Sequence, residues 1–278
     1  MTTINFQGFS HYPGDRDIWR YMDLSSLLWI LENEKLHFDS PVDDFEDRYE
    51  TTLPKAWYEF REDQMRGIGD AWDHDPDEFW QEQSDQRQEM RENIYATCWH
   101  ANQRESAAMW ELYGASNQTV AIRTTVDRLR RAFHSQDDYA VAVGDVQYVD
   151  FDSGVDDISD EDMDKIRGVH SGNADSVGLT LLKRKEFAHE KEVRGVVLDG
   201  VIADWIERHS KDYSPNRNVS PPVNVPVDVD KLIEEIRLPP GAGSWFIRTA
   251  VSAIENNRNT KFSRKEIRTS QLDSERHF

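Results

Sequence analysis

The sequence is poor in cysteine, in lysine and in long apolar runs, and each shortage removes a class of answers. The single cysteine, Cys98, excludes an intrachain disulfide, and no Cys/His grouping has the spacing of a structural zinc site. No apolar stretch is long enough to cross a bilayer, and Met1 to Ser10 carries no hydrophobic core of a signal peptide. A cytoplasmic protein with no membrane partner is the expectation. Positive charge is scarce too: 33 basic residues face 53 acidic ones, for a net charge of −20. Such a field opposes unspecific attraction to phosphate backbones. Aspartate over glutamate and arginine over lysine suggest a halophilic surface, on which concentrated salt screens this charge within a few ångströms.

Hydrophobic pattern places alternating strands and helices along one domain of residues 1–278. Strands are expected at Ile18 to Met22, Leu36 to Phe38, Ile94 to Trp99, Thr119 to Thr124, within Tyr139 to Tyr148 and at Phe187 to Leu198. Helices are expected at Ser26 to Glu32 behind an N-cap of Ser25 or Ser26, at Ser106 to Tyr113, Val126 to His134, Val229 to Ile236 and Ser244 to Asn256. Leu181 to Arg184 reads as a helix end. Residues 55–93 read as a helical acidic insertion or lid, two helices broken near Asp75-Pro76. Residues 151–178 form an acidic loop region with one short helix around Asp160 to Ile166 and no pattern demanding burial. Residues 213–227 form a Pro-rich loop. The sum is an α+β fold with a central mixed or split β-sheet.

Chemistry concentrates at Glu190-Lys191-Glu192, in front of the apolar run Val193 to Leu198. On a strand, residues two apart share a face, so the two carboxylates are expected to project into one space and perturb each other's ionisation. His189 beside them would share that cleft. His100, after Cys98-Trp99, is a possible ligand or base, although a lone histidine at a strand end is more often simply hydrogen-bonded. Met109 to Tyr113 reads as a packing helix. The acidic run Asp43 to Glu50 looks like a metal site on paper, but such runs arise by chance in so acidic a chain, and no metal is expected. Two basic clusters stand out, Arg128, Arg130 and Arg131 on one helix and Lys183-Arg184-Lys185 ahead of the glutamates. Either they orient a phosphate-bearing substrate or they answer nearby acids.

The segments Trp19-Arg20-Tyr21-Met22, Asp44-Phe45-Glu46-Asp47, Cys98-Trp99-His100, Met109-Trp110-Glu111-Leu112-Tyr113-Gly114 and Phe187-Ala188-His189-Glu190-Lys191-Glu192-Val193-Arg194 together resemble a bacterial and archaeal domain family of unknown function, over about residues 15 to 240. At the level of element order, the chain more distantly resembles the ADP-ribosyltransferase superfamily, particularly its Arg/Ser/Glu branch. That resemblance implies NAD as co-substrate, Glu192 as catalytic glutamate and Glu190 as the residue that orients the acceptor. It implies cofactor-binding roles for Arg20, Tyr21, Thr124 and Thr125, although Arg123-Thr124-Thr125 departs from that family's Ser-Thr-Ser. The acceptor, nucleic acid or protein, is left open. So is a different class altogether, a non-catalytic interaction module that docks a partner through the aromatics of the insertion, Trp57 to Trp80.

Overall fold

A computed structural model describes residues 15–68, 81, 91, 94–113, 118–133, 141–169, 175–198, 223–257 and 266–273. Seven strands form the main sheet: β1 (Asp17–Asp23), β3 (Ile94–Ala101), β4 (Thr119–Thr125), β5 (Val141–Asp145), β8 (Glu192–Leu198), β10 (Glu235–Leu238) and β11 (Glu266–Thr269). Their spatial order is β11-β10-β4-β1-β3-β8-β5. All neighbours are antiparallel except β10 and β11. Two small pairs flank it, β2 (Lys35–Phe38) with β9 (Val223–Pro226), antiparallel, and β6 (Gln147–Val149) with β7 (Leu182–Arg184), parallel. With eight α-helices among the described residues, α1 (Leu24–Asn33), α2 (Lys55–Ile68), α3 (Ala107–Tyr113), α4 (Val126–Ala132), α5 (Asp160–Val169), α6 (Asp175–Thr180), α7 (Val229–Leu232) and α8 (Ser244–Glu255), the fold is α+β with a mixed sheet.

The sheet is split in the middle. β1 and β4 stay paired over seven positions, from Asp17↔Thr125 to Asp23↔Thr119, and β3 and β8 over seven, from Ile94↔Leu198 to His100↔Glu192. β1 and β3 pair only at Ile18↔Ala101 and Trp19↔His100. Beyond Trp19 the two halves part, and the sheet opens between Arg20 to Met22 on one side and Thr97 and Cys98 on the other.

Opposed residues of an antiparallel pair share a face, so register divides the strands into two layers. On one face Ile18, Ile122, Trp99, Val193, Val197 and Ile236 join Leu27, Ile30 and Leu31 of α1, Leu129 of α4, Phe246 and Ile254 of α8, and Leu36, Phe38, Val223 and Val225 of the small antiparallel pair. On the other face Trp19, Tyr21 and Ala121 pack against Met109 and Trp110 of α3. Full burial of such side chains contributes about 1.5–3 kcal/mol each, which is what holds the two halves to a common set of helices.

Several expected elements differ. α1 begins at Leu24 behind Asp23, so Ser25 and Ser26 lie within its first turn instead of capping it. The helix expected over Val229 to Ile236 is one turn, capped by Asp228 accepting from the Lys231 backbone N–H at 3.1 Å, and then a strand. Its four residues Glu235 to Leu238 are all buried between β4 and β11, and tertiary pairing overrides the local apolar period. Leu182 to Arg184 is a strand, because the preceding helix already ends at Thr180. Tyr139 to Tyr148 supplies two strands in different sheets. Residues 151–169 pack rather than loop: Phe151, Met163, Ile166 and Val169 are buried, Arg167 lies over the Phe60 ring at 4.9 Å, and the Val155 N–H donates to Glu59 Oε2 at 2.7 Å. The described part of the expected insertion, α2, is thereby docked on α5. Its second helix, with Trp72, Phe79 and Trp80, lies outside the described residues.

Candidate functional site

The parting of β1 from β3 opens a cleft of about 1100 Å³ that draws on both faces of the sheet. Arg20, Ser25, Ser26, Trp29, His37 and Asp39 line one side; Tyr21, Cys98, His100, Leu112, Tyr113, Lys183, Glu190 and Glu192 line the other; the turn Asp44 to Asp47 and Glu50 close it.

Glu190 and Glu192 do come together here, but not by strand alternation. Residues Lys185–Glu190 form a 3-10 turn, Lys191 takes a left-handed conformation at φ 45°, and the strand starts only at Glu192. What unites the carboxylates is Lys183 on β7, whose Nζ donates to Glu190 Oε2 at 2.5 Å and to Glu192 Oε1 at 2.8 Å. The residue that shares a strand face with Glu192 is Arg194. Its Nε donates to Glu192 Oε2 at 2.5 Å, and its two terminal nitrogens grip both oxygens of Glu50 at 2.8 Å. Arg194 is fully buried, with its guanidinium 5.1 Å from the Phe45 ring centre.

Three carboxylates, Glu50, Glu190 and Glu192, thus face two cations, Lys183 and Arg194. Desolvation penalises the surplus negative charge. It falls on Glu190, whose carboxyl is raised to about 7 by burial and by its hydrogen bond to Glu192. Burial pulls Glu192 the same way, but Arg194, Glu190 and Lys183 outweigh it and hold Glu192 well below the usual carboxylate range. A proton on Glu190 makes the cluster neutral and leaves Glu192 as the standing anion. The backbone N–H of Glu192 donates to Tyr148 Oη at 2.8 Å, which fixes the strand's first residue.

Across the cleft stands Arg20. It is half-buried, donates to Thr97 Oγ1, lies 5.9 Å from the Trp99 ring centre, and forms no ion pair among the described residues. In so acidic a chain that is unusual, since the simplest fate of a strand arginine is a carboxylate partner. Tyr21 is otherwise engaged: its hydroxyl accepts from the Ser106 N–H at 2.8 Å, its ring meets Trp110 edge-on at 5.0 Å, and burial pushes its ionisation up. Tyr21 nonetheless lines the cleft. Thr124 and Thr125 do not line it. Thr124 is buried on the α1 side with its hydroxyl on the Leu232 carbonyl, and Thr125 caps α4 by accepting from the Arg128 N–H at 3.2 Å. Both hydroxyls satisfy backbone groups at the far end of β4.

The basic clusters answer acids or backbone carbonyls. Arg128 donates to the carbonyls of Asp230 and Ile233, Arg131 faces Asp127, Arg184 pairs with Asp47 at 2.9 Å and Lys185 with Asp162 at 2.5 Å. Cys98 lines the cleft, but burial pushes its thiol up and away from the reactive thiolate. Among the described residues, no group of His, Cys, Asp and Glu is placed to hold a metal ion, and no helix is long and apolar enough to cross a membrane.

Arg194 and Glu50 do not stand out from the sequence as members of the site. A signal for one of them was present: the alternation rule that suggested Glu190 with Glu192 applies correctly to Glu192 with Arg194. Lys183 belongs to the basic cluster marked ahead of the glutamates, but as their ion-pair partner and not as a contact for a substrate phosphate; Glu50 reaches the site from a distant segment, and no local pattern marks it.

Residues 109–195 match the family described as a protein of unknown function, DUF2971. The resemblance to a family of unknown function therefore holds over the segment that runs from α3 to Gly195. No curated protein matches the chain. Among solved structures, the chain is similar to Thermus sp. 2.9 DarT in complex with carba-NAD+, at 11% identity and a TM-score of 0.37, over 94% of this chain and 98% of that one. A likeness that loose carries no weight for fold or activity.

Proposed function

We propose that the chain is an NAD-dependent ADP-ribosyltransferase-like enzyme, with Glu192 as its catalytic glutamate and Arg20 as the clamp for the dinucleotide diphosphate. The observation that carries this reading is the pairing of opposites across one cleft: a half-buried arginine on β1 without an ion pair among the described residues, and a carboxylate held ionised on β8. Breaking the nicotinamide to ribose bond develops positive charge on the ribose, and a fixed anion placed against it stabilises that charge as it forms. Arg20 offers a planar fork matched to phosphate oxygens. The half-exposed faces of Trp29 and Tyr113 at the opening suit planar rings. At about 1100 Å³ the cleft is roomy for a small molecule, whose sites typically span roughly 300–1,000 Å³, and admits a dinucleotide together with an acceptor group.

Glu190, its carboxyl raised to about 7 and so partly protonated near neutral pH, is suited to orient the acceptor, which is a nucleic acid or protein group. A role as a defence effector or toxin fits a reaction of this type. NAD at millimolar concentration is expected to raise the melting temperature, and nicotinamide release is expected to fall by about 10²–10³-fold in Glu192→Gln, the scale of losing one electrostatic stabiliser. Arg20→Leu is expected to abolish the NAD-induced shift. No shift and no nicotinamide release in the unmodified protein would sink the reading.

A further inference from the structure

Two side chains that line the cleft, Trp99 and His100, each bury a ring nitrogen without a hydrogen-bond partner among the described residues, and of the two only the imidazole nitrogen can accept a proton. His100, 7% exposed, is the last but one residue of β3 and stands directly opposite Glu192 in the strand register. Its Nδ1 lies 2.6 Å from the Glu190 carbonyl oxygen. A carbonyl only accepts, so Nδ1 carries the proton, and in the neutral ring Nε2 carries the lone pair. That Nε2 is buried and has no hydrogen-bond partner among the described residues. A buried polar atom left without a partner costs roughly 1–3 kcal/mol, so its retention in a ligand-sized cleft points to a partner that arrives with the ligand. The ring is kept neutral by burial first, and by Lys191 and His189 beside it. The groups facing it are Lys191, His189 and Glu190 from the turn, Glu192 from β8, and from β1 the uncharged Trp19.

We infer that His100 is a catalytic residue, with Nε2 as the base that takes the proton of the acceptor group. This rests on the transferase reading above. In the step, the acceptor's oxygen or nitrogen forms a bond to the ribose carbon as the bond to nicotinamide breaks. The bonding pair leaves with the nicotinamide ring nitrogen, and the acceptor's proton passes to Nε2. The resulting imidazolium keeps its Nδ1 proton on the Glu190 carbonyl, and Glu192 stands across the register as the counter-charge. The acceptor class is therefore one that must lose a proton on transfer, an O–H or N–H group. The same chain position thus couples the two glutamates through backbone: Glu190 orients the base by its carbonyl while its carboxyl faces Lys183.

The test uses the full chain with NAD, and water as the O–H acceptor. His100→Asn keeps a donor near the Nδ1 position and removes the Nε2 base. It is expected to retain the NAD-induced rise in melting temperature and to lose about 10²–10⁴-fold in nicotinamide release, the usual share of a general base. The unmodified protein's rate should climb as the imidazole deprotonates and then level; the variant's profile should lack that limb. Added imidazole should restore part of the lost rate to His100→Ala. If His100→Asn binds NAD and releases nicotinamide with an unchanged profile, this inference fails while the transferase reading stands. If His100→Asn and His100→Gln both lose the folding transition and imidazole restores nothing to His100→Ala, the residue is structural and the inference fails. If the unmodified protein neither binds nor cleaves NAD, both fall together.

Discussion

Glu190 and Glu192 show how one proton is shared out in a buried ionic cluster. Because Glu190 is raised from the ordinary 4.5 to about 7, the native state holds a proton there that the unfolded chain has released between those values. Its contribution to stability is complete below about pH 4.5 and is lost as pH rises through 7. Glu192 runs the other way: its ionised form is favoured in the fold, so its contribution is complete above 4.5 and is lost as pH falls through its depressed native value. In Glu190→Gln, which imitates the protonated acid, the decline in unfolding free energy from pH 4.5 to 7 should shrink relative to the unmodified protein. Urea titrations at a series of pH values read that difference. Arg194 should be the most damaging of these residues to remove. Arg194→Met leaves Glu50 and Glu192 buried without their main partner, and should cost about 3–5 kcal/mol by the same titration.

At the scale of elements, the cleft exists because β1 is tied along its whole length to β4 and only at one end to β3. Thr97 bridges the opening by holding Arg20, and it is itself crowded: a Cβ at Gly195 would stand 2.9 Å from Thr97 Cγ2. Gly195→Val should therefore displace Thr97, and with it the guanidinium, and weaken the NAD-induced shift in melting temperature without removing the cleft carboxylates. Thr124 predicts the opposite. Its hydroxyl serves the Leu232 carbonyl, so Thr124→Val should lose about 1 kcal/mol of stability and leave that shift unchanged; loss of the shift would return this hydroxyl to the site. The strands Ile18 to Met22, Ile94 to Trp99 and Val120 to Thr124 were legible because each is apolar on both faces, as central strands are. β10 was not legible, since Val229 to Ile236 carries a helical period, and only its two neighbours decide that Glu235 to Leu238 is extended.

For the whole molecule, a net charge of −20 repels itself in the compact state, and salt screens it. The melting temperature should rise steadily from low salt to molar potassium chloride; a flat or falling curve would refute a surface adapted to salt. The internal network should respond less, because Lys183 and Arg194 are shielded from solvent.

By itself the sequence determined the α+β class and most of the central strands, since these depend on local period and composition. Arg20, set inside the aromatic strand of Trp19 to Met22, and Glu192, at the front of an apolar run, also stood out locally. Only the tertiary structure decided that they share a cleft, that Thr124 and Thr125 stand outside it, and that Glu50, Lys183 and Arg194 fix which glutamate is ionised. The physical reason is range. Periodicity reports which face a residue takes on its own element, whereas a pKa, an unpartnered nitrogen or a splayed pair of strands depends on segments such as Glu50 and Arg194 that meet across 144 residues of chain.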